Sequence, residues 1–270
     1  MNGIIDIGAV NLAFGYVLLI IPLAVIIWLK IPIVTETVVS IVRMTIQLLF
    51  VGFYLQVIFD LNNPWLNAAR VLIMIIVADV SIARGAGVRI SHFAVPLFVS
   101  LLAGMILPLL FFVGPIMLVP NLMDAQYIIP IGGMILGNCL RADIIGLSTF
   151  YNSIQGREKA YLATLAQGAR FSEAARPFSR DAVRAALAPT VATMATIGLV
   201  ALPGMMTGVI LGGADPMTAI KYQIAIMIAI FTGTSITVYL AIGLTARIGF
   251  NSYGMLDRGI FRKNGRGHRR

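Results

Sequence analysis

Charge, cysteine and histidine are all scarce in this chain, and each scarcity removes a class of function. Only 11% of the 270 residues are Asp, Glu, Lys or Arg, whereas soluble domains carry about a quarter, so a water-facing globular fold is excluded. A single cysteine, Cys139, leaves no intrachain disulfide and does not report a redox compartment. The two histidines, His92 and His268, fall in a connecting loop and near the chain's end. No GxxxxGK[ST], HExxH or GxSxG pattern occurs, so the chain reads as a transport component and not an enzyme, and it implies no cofactor. The apolar stretches also lack the alternation of polar and apolar residues that membrane β-strands need, which excludes a barrel.

What is present is hydrophobicity in long runs. Hydrophobic residues make up 59% of the chain and the mean hydropathy is +0.93. A hydrocarbon core of about 30 Å takes about 20 apolar residues per helix. Seven such stretches are expected, at 10–29, 38–59, 66–83, 94–113, 125–150, 185–212 and 219–246. The fold class is therefore all-α, a polytopic helix bundle in the cell's inner (plasma) membrane. Lys30 stands where a signal peptide would be cut and Asp6 precedes the first run, which points away from a cleaved signal.

The excess of positive charge, +9 with a pI near 10.1, is explained by where it lies. Nearly all Lys and Arg fall in 30–37, 84–93, 151–184 and 247–270, while Arg70 and Lys221 stand on the opposite side. This is the positive-inside pattern, with the N-terminus outside and the C-terminus cytoplasmic. The partner it implies is the anionic surface of the lipid bilayer, not nucleic acid.

Connections on the outer side are short, so the chain forms one transmembrane domain over 1–270 with two cytoplasmic additions, a loop at 151–184 and a basic tail at 247–270. Within the loop, Ser153 is expected to cap a helix running to Gln167 with Gly168 as its stop. Ser172 opens a short turn ended by Pro177, and Ser179 caps a third run leading into the sixth span. Tyr161, Leu162, Leu165 and Ala169 share one face at helical spacing. That face suits either the head groups or a docked cytoplasmic protein.

Glycine spacing adds a packing signal. Gly133 with Gly137, and Gly204 with Gly208 and Gly212, are spaced by four, so each set lines one helix face and admits a close neighbour. The stretch 185–212 is too long for one perpendicular helix at about 42 Å, and Pro189 and Pro203 interrupt it. A broken or re-entrant helix at 202–206 fits those residues.

Polar residues inside spans are expensive and mark function by default. They are Arg43 and Gln47 on one face of the second span, Asp79 in the third, Asn138, Cys139, Arg141 and Asp143 in the fifth, and Tyr222 and Gln223 at the start of the seventh. Two readings stand: charge pairs Arg43–Asp79 and Arg141–Asp143, or a polar path in which uncharged amides are the less costly lining. Arg43, Gln47, Asp79, Asn138, Cys139, Tyr222 and Gln223 are the path candidates. Thirteen methionines are mostly apolar filler; Met134, Met205 and Met206, beside glycines, are the candidates for a soft metal.

Six motifs occur in order: Arg43, Gln47, Leu48 and Gly52; IPIGGMILGN at 129–138; LAQGA at 165–169; AALAPT at 185–190; PGMMTG at 203–208; and ADP followed by YQI across 214–224. Together they resemble the FetB family of ABC-transporter permeases, whose relatives include plant aluminium-tolerance proteins; Val209 and Cys139 depart from its pattern. The resemblance implies a permease tied to iron export that works with a separate cytoplasmic ATPase, which agrees with the missing phosphate loop. Such a permease must receive the ATPase's motion through an inner element, and 151–184 is the only connection between spans long enough to form a surface, so the expected coupling residues are Leu165, Gly168, Ala169 and Glu173. Two ATPases need two permease surfaces, so a second copy forming a homodimer is expected. The alternatives are a permease of the same build for an organic solute or lipid, and an ATP-independent channel or secondary carrier. The last usually shows inverted halves.

Overall fold

The structure, a computed structural model, describes residues 7–251 and 253–261. It is helical throughout. In chain order the helices are α1 (Ala9–Val17), α2 (Ile20–Trp28), α3 (Val34–Leu61), α4 (Pro64–Gly85), α5 (Ile90–Phe111), α6 (Ala125–Gly156), α7 (Glu158–Ala166), α8 (Phe171–Thr196), α9 (Gly204–Leu211) and α10 (Pro216–Gly249). Six runs are long and apolar enough to cross a bilayer: Ala9–Trp28, which joins α1 and α2, Val34–Leu61, Pro64–Gly85, Ile90–Ile116, Ala125–Gly156 and Pro216–Gly249.

The expected span at 185–212 is not one helix. α8 begins fourteen residues earlier, at Phe171, and ends at Thr196; an irregular stretch, 197–203, then precedes the short α9. Gly198 at φ +82 and Pro203 as the residue before α9 explain the break, which lies just ahead of the expected 202–206. Conversely, Pro177 does not end a helix. α8 continues past Pro177 and Pro189; a proline removes one backbone hydrogen bond and crowds the carbonyl one turn back, which can bend a helix without ending it.

Helix starts are set by local chemistry. Asn63, Asp124 and Asp215 accept hydrogen bonds from backbone N–H groups of the first turns of α4, α6 and α10, at 3.0 Å (Trp65), 3.1 Å (Gln126) and 3.0 Å (Thr218). Ser153 and Ser179 are not caps; both lie inside helices and donate to carbonyls one turn back, Phe150 and Ala175. The cap of α8 is instead the Glu173 carboxylate accepting the Arg170 N–H at 2.8 Å.

The core is built from α4, α5, α6, α8 and α10. α5 and α10 cross at Gly104 and Gly233: a Cβ added at Gly233 would stand 2.6 Å from the Gly104 carbonyl oxygen, so only glycine lets these backbones meet. Gly132 and Gly146 likewise admit Met105 and Val238. α1, α2 and most of α3 flank this core. No residue of α1 or α2 is buried, and in α3 only Ile58 is. α3 is fastened at its C-terminal end. The Arg70 guanidinium lies 3.5 Å over the Tyr54 ring, and Asn62 accepts from the Asn67 amide at 3.2 Å and the Ala125 N–H at 3.0 Å.

At the opposite end of the bundle an aromatic cluster joins Phe93, Phe150, Tyr151, Tyr161, Phe178, Phe250 and Phe261. The segment after α10 folds back over it. Tyr161 donates to the Gly254 carbonyl at 2.7 Å, Arg89 donates to the Ile260 carbonyl at 2.7 Å, and Arg258 pairs with Glu158 at 3.0 Å. The described part of the expected basic tail thus includes a strap that ties α7 to the α4–α5 corner.

Candidate functional site

α6, α8 and α10 diverge around a cavity of about 490 Å³, and the break before α9 caps one side of it. Each helix contributes by register. On α6, Met134, Asn138, Arg141 and Ile145 recur every three or four residues and so share one stripe; on α8, Ala186, Pro189, Thr190 and Thr193 do the same; on α10, Gln223, Ile226, Met227 and Ile230 complete the wall. Pro203, Gly204 and Met205 bring in the N-terminal end of α9.

The polar groups in this lining differ in how well they are satisfied. The Asn138 amide donates to the Met134 carbonyl at 2.8 Å and the Thr193 hydroxyl donates to the Pro189 carbonyl at 3.0 Å. Gln223 is 7% exposed, and its Oε1 has no hydrogen-bond partner. A buried amide left unpaired costs about 1–3 kcal/mol. Arg141 is an exposed residue lining the cavity and, among the described residues, pairs with no carboxylate. The first N–H groups of α9 are those that a helix leaves without internal partners, and they carry its positive dipole end. Among the described residues, no Asp or Glu lines the cavity. Its electrostatics therefore favour neutral or negatively charged groups, with the three thioethers of Met134, Met205 and Met227 available for a soft ion.

Of the path and metal candidates, Asn138, Gln223, Met134 and Met205 meet here, together with Arg141. Others do not. Cys139 is buried against α10, where an added Cβ at Gly233 would lie 3.4 Å from its sulfur. Asp79 is buried within α4 with one carboxylate oxygen unpartnered, Tyr222 packs against the core beside Gln223, and Met206 lies outside the lining. Arg43 and Gln47 are exposed on α3. Neither expected charge pair forms: among the described residues the ion pairs are Arg157–Asp181 at 3.2 Å and Arg258–Glu158 at 3.0 Å. The partner of Asp143 is therefore not Arg141. Asp143 is fully buried against α10 with both oxygens unpaired, while Arg141, two residues earlier, points the other way into the cavity.

Thr190 and Thr193 are site residues that sequence reasoning missed. The signal was available, since 186, 190 and 193 share a helix face, but it required α8 to be read through Pro189. The glycine sets also separate. Gly133 has Met74 at 3.3 Å from an added Cβ, Gly137, Gly204 and Gly208 have nothing within 4 Å in this chain, and Gly212 meets only carbonyls of its own helix.

In the inner loop, Gly168 adopts φ +91 and ends α7 as expected. Gln167 and Gly168 are exposed at the tip with Ala169 half-buried. Leu165 turns inward to Gly254 of the strap, 3.0 Å from an added Cβ there, and Glu173 is committed to capping α8.

Residues 9–250 match the uncharacterised protein family UPF0014. The probable iron export permease protein FetB of Escherichia coli K12 is 36% identical over 79% of this chain and 81% of its own length. A UPF0014 membrane protein of Synechocystis is 34% identical over 79% of this chain and 83% of that protein, and the protein ALUMINUM SENSITIVE 3 of Arabidopsis thaliana is 33% identical over 71% and 69%. No solved structure matches. With an all-helical build, six membrane-length helices and a family match across nearly its whole length, this chain belongs to the UPF0014 family of multi-pass membrane proteins, and the inner membrane expected for it suits its bacterial relatives.

Proposed function

We propose that the chain is the permease subunit of an ABC transporter that exports iron or another metal, driven by ATP hydrolysed on a separate cytoplasmic subunit. The observation that carries this reading is a cavity whose wall gathers Gln223, Asn138, Thr190, Met134 and Met205, with the Gln223 amide oxygen buried and unpartnered in that wall. Such a group is costly unless a passing solute or water completes it. The E. coli relative, named as a probable iron export permease, agrees with the direction and cargo. A second copy of the chain completes the assembly. Glu36, Ser40, Arg43 and Gln47 form one stripe along α3, and Arg43 and Gln47 are exposed in a single chain although they sit in the apolar run. A charged side chain facing hydrocarbon is unfavourable by about 2.5 kcal/mol or more, so this stripe calls for a protein or a water-filled path opposite it.

A second reading, an organic anion or an anionic metal chelate as cargo, is favoured by the Arg141 guanidinium and the α9 helix end in a lining without carboxylates. One assay separates the two. The permease is reconstituted with its ATPase, and hydrolysis is measured with ferrous ion, with ferric citrate and with citrate alone. Stimulation by ferrous ion supports export of the bare cation, and stimulation only by the chelate or by citrate supports the second reading. A permease that neither binds an ATPase nor stimulates one overturns both.

A further inference from the structure

A second hollow, of about 960 Å³, opens beside α8 nearer its N-terminal end, and its rim is arginine. Arg176, Arg180 and Arg184 recur every four residues, so they share one face of α8 at intervals of about 6 Å. Arg247, in the last turn of α10, stands across from them. The floor is apolar and includes Ile242 of α10, and the wall continues to Tyr239, which is 73% exposed on the surface of that membrane-length helix. Asp181 also borders the hollow, but Arg157 holds it at 3.2 Å. None of the four arginines is in an ion pair among the described residues.

We infer that this hollow binds an anionic phospholipid, its phosphate held among the four guanidinium groups and its chains lying along Tyr239 and Ile242. Guanidinium forks match phosphate oxygens in pairs, and basic pockets between membrane helices at the head-group level suit anionic lipids. The apolar wall decides between occupants: it runs from the charged rim directly onto the side of a membrane-length helix, where an acyl chain gains contact and a soluble protein or free phosphate gains none. The same helix lines the first cavity from Ala186 onward, so a lipid seated at Arg180 and Arg184 sets the depth of the α8 segment that forms the path. The inference does not depend on what is transported.

The test uses the full-length chain purified in neutral detergent, without ATPase or metal. Binding of dioleoyl phosphatidylglycerol, dioleoyl phosphatidylcholine and inorganic phosphate is followed by native mass spectrometry and by thermal unfolding. Phosphatidylglycerol should bind and raise the melting temperature, while the other two should not. Arg180→Gln with Arg184→Gln should weaken phosphatidylglycerol binding about 25-fold, taking about tenfold per 1.4 kcal/mol and about 1 kcal/mol per arginine. Arg84→Gln with Arg89→Gln, an equal loss of charge elsewhere, should leave it unchanged. If the first pair elutes as aggregate, Arg247→Gln on the other helix replaces it, with an expected loss of about fivefold. Equal loss in both pairs, equal binding of phosphatidylcholine, or binding of phosphate alone would overturn the inference. So would unchanged lipid binding in the variants; loss of ATPase capture by the same variants in a separate pull-down would then make the hollow a protein-docking surface.

Discussion

Gln223 and Gly233 sit on the same helix and illustrate opposite demands on a side chain. Gln223 holds a buried oxygen without a partner, so replacing it by leucine removes an unpaired polar group. Gln223→Leu should stabilise the solute-free protein by about 1–3 kcal/mol while abolishing solute-stimulated ATP hydrolysis. A lower melting temperature with normal stimulation would assign Gln223 to structure. At Gly233 the constraint is backbone contact: an added methyl would meet the Gly104 carbonyl oxygen at 2.6 Å and Ile135 at 3.0 Å. Gly233→Ala should cost about 1–3 kcal/mol, measured by thermal unfolding, whereas Gly137→Ala, with open space around it, should be near neutral in a single chain. Tyr161 adds a pH dependence outside the membrane spans. Burial against the strap pushes its phenol up to about 12, and its hydroxyl donates to the Gly254 carbonyl. Because the folded value lies above the ordinary one near 10, its contribution is complete below pH 10 and fades as pH rises through about 12. Tyr161→Phe should remove that alkaline transition from a stability profile and release the strap to proteolysis.

Among the elements, the α7–α8 corner is the best candidate for receiving motion from an ATPase. Its tip at Gln167 and Gly168 is exposed, while Leu165 and Glu173 are occupied in holding the strap and capping α8. Of the four coupling residues expected in the inner loop, Gly168 and Ala169 are therefore the ones placed at or beside an accessible surface. Gly168→Trp or Ala169→Arg should leave insertion and folding intact yet abolish capture of the ATPase in a pull-down. Gly168→Ala is a milder probe: its φ of +91 disfavours any Cβ by about 1–2 kcal/mol, so it should loosen the corner without adding bulk. Wild-type capture in all three variants would move the interface to the Arg84–His92 corner. The elements most legible in sequence were the long apolar helices and the Gly168 stop, because apolar length and positive φ are local properties. α8 was the least legible, since prolines look like breaks until neighbouring helices are seen to support the chain through them.

For the whole molecule, orientation and assembly are open to direct measurement. Basic residues concentrate in 84–93, 151–184 and 247–270, so a reporter fused after Arg270 should lie in the cytoplasm and one at Asn2 outside it. A cytoplasmic N-terminus would remove the seven-span arrangement. If a second copy covers the α3 stripe, single cysteines at Ser40 and Gln47 in a Cys139→Ala background should cross-link between chains in membranes. Their failure to do so, with cross-linking from Ile224 on α10 instead, would put the dimer contact on another face.

The amino-acid sequence alone determined the class, the bilayer setting and the family, because hydrophobic run length, charge asymmetry and ordered motifs are properties of the chain itself. It also marked Asn138 and Gln223, since an amide inside an apolar run stands out without any coordinates. Only the tertiary structure decided that those two line one cavity with Thr190 and Thr193, that Asp143 turns away from Arg141, and that the backbone breaks at 197–203. Those outcomes depend on how far α6, α8 and α10 are rotated about their own axes. The rotation is set by where glycines such as Gly104, Gly146 and Gly233 let backbones touch, and spacing along one helix cannot say which neighbour will fill the space each glycine leaves.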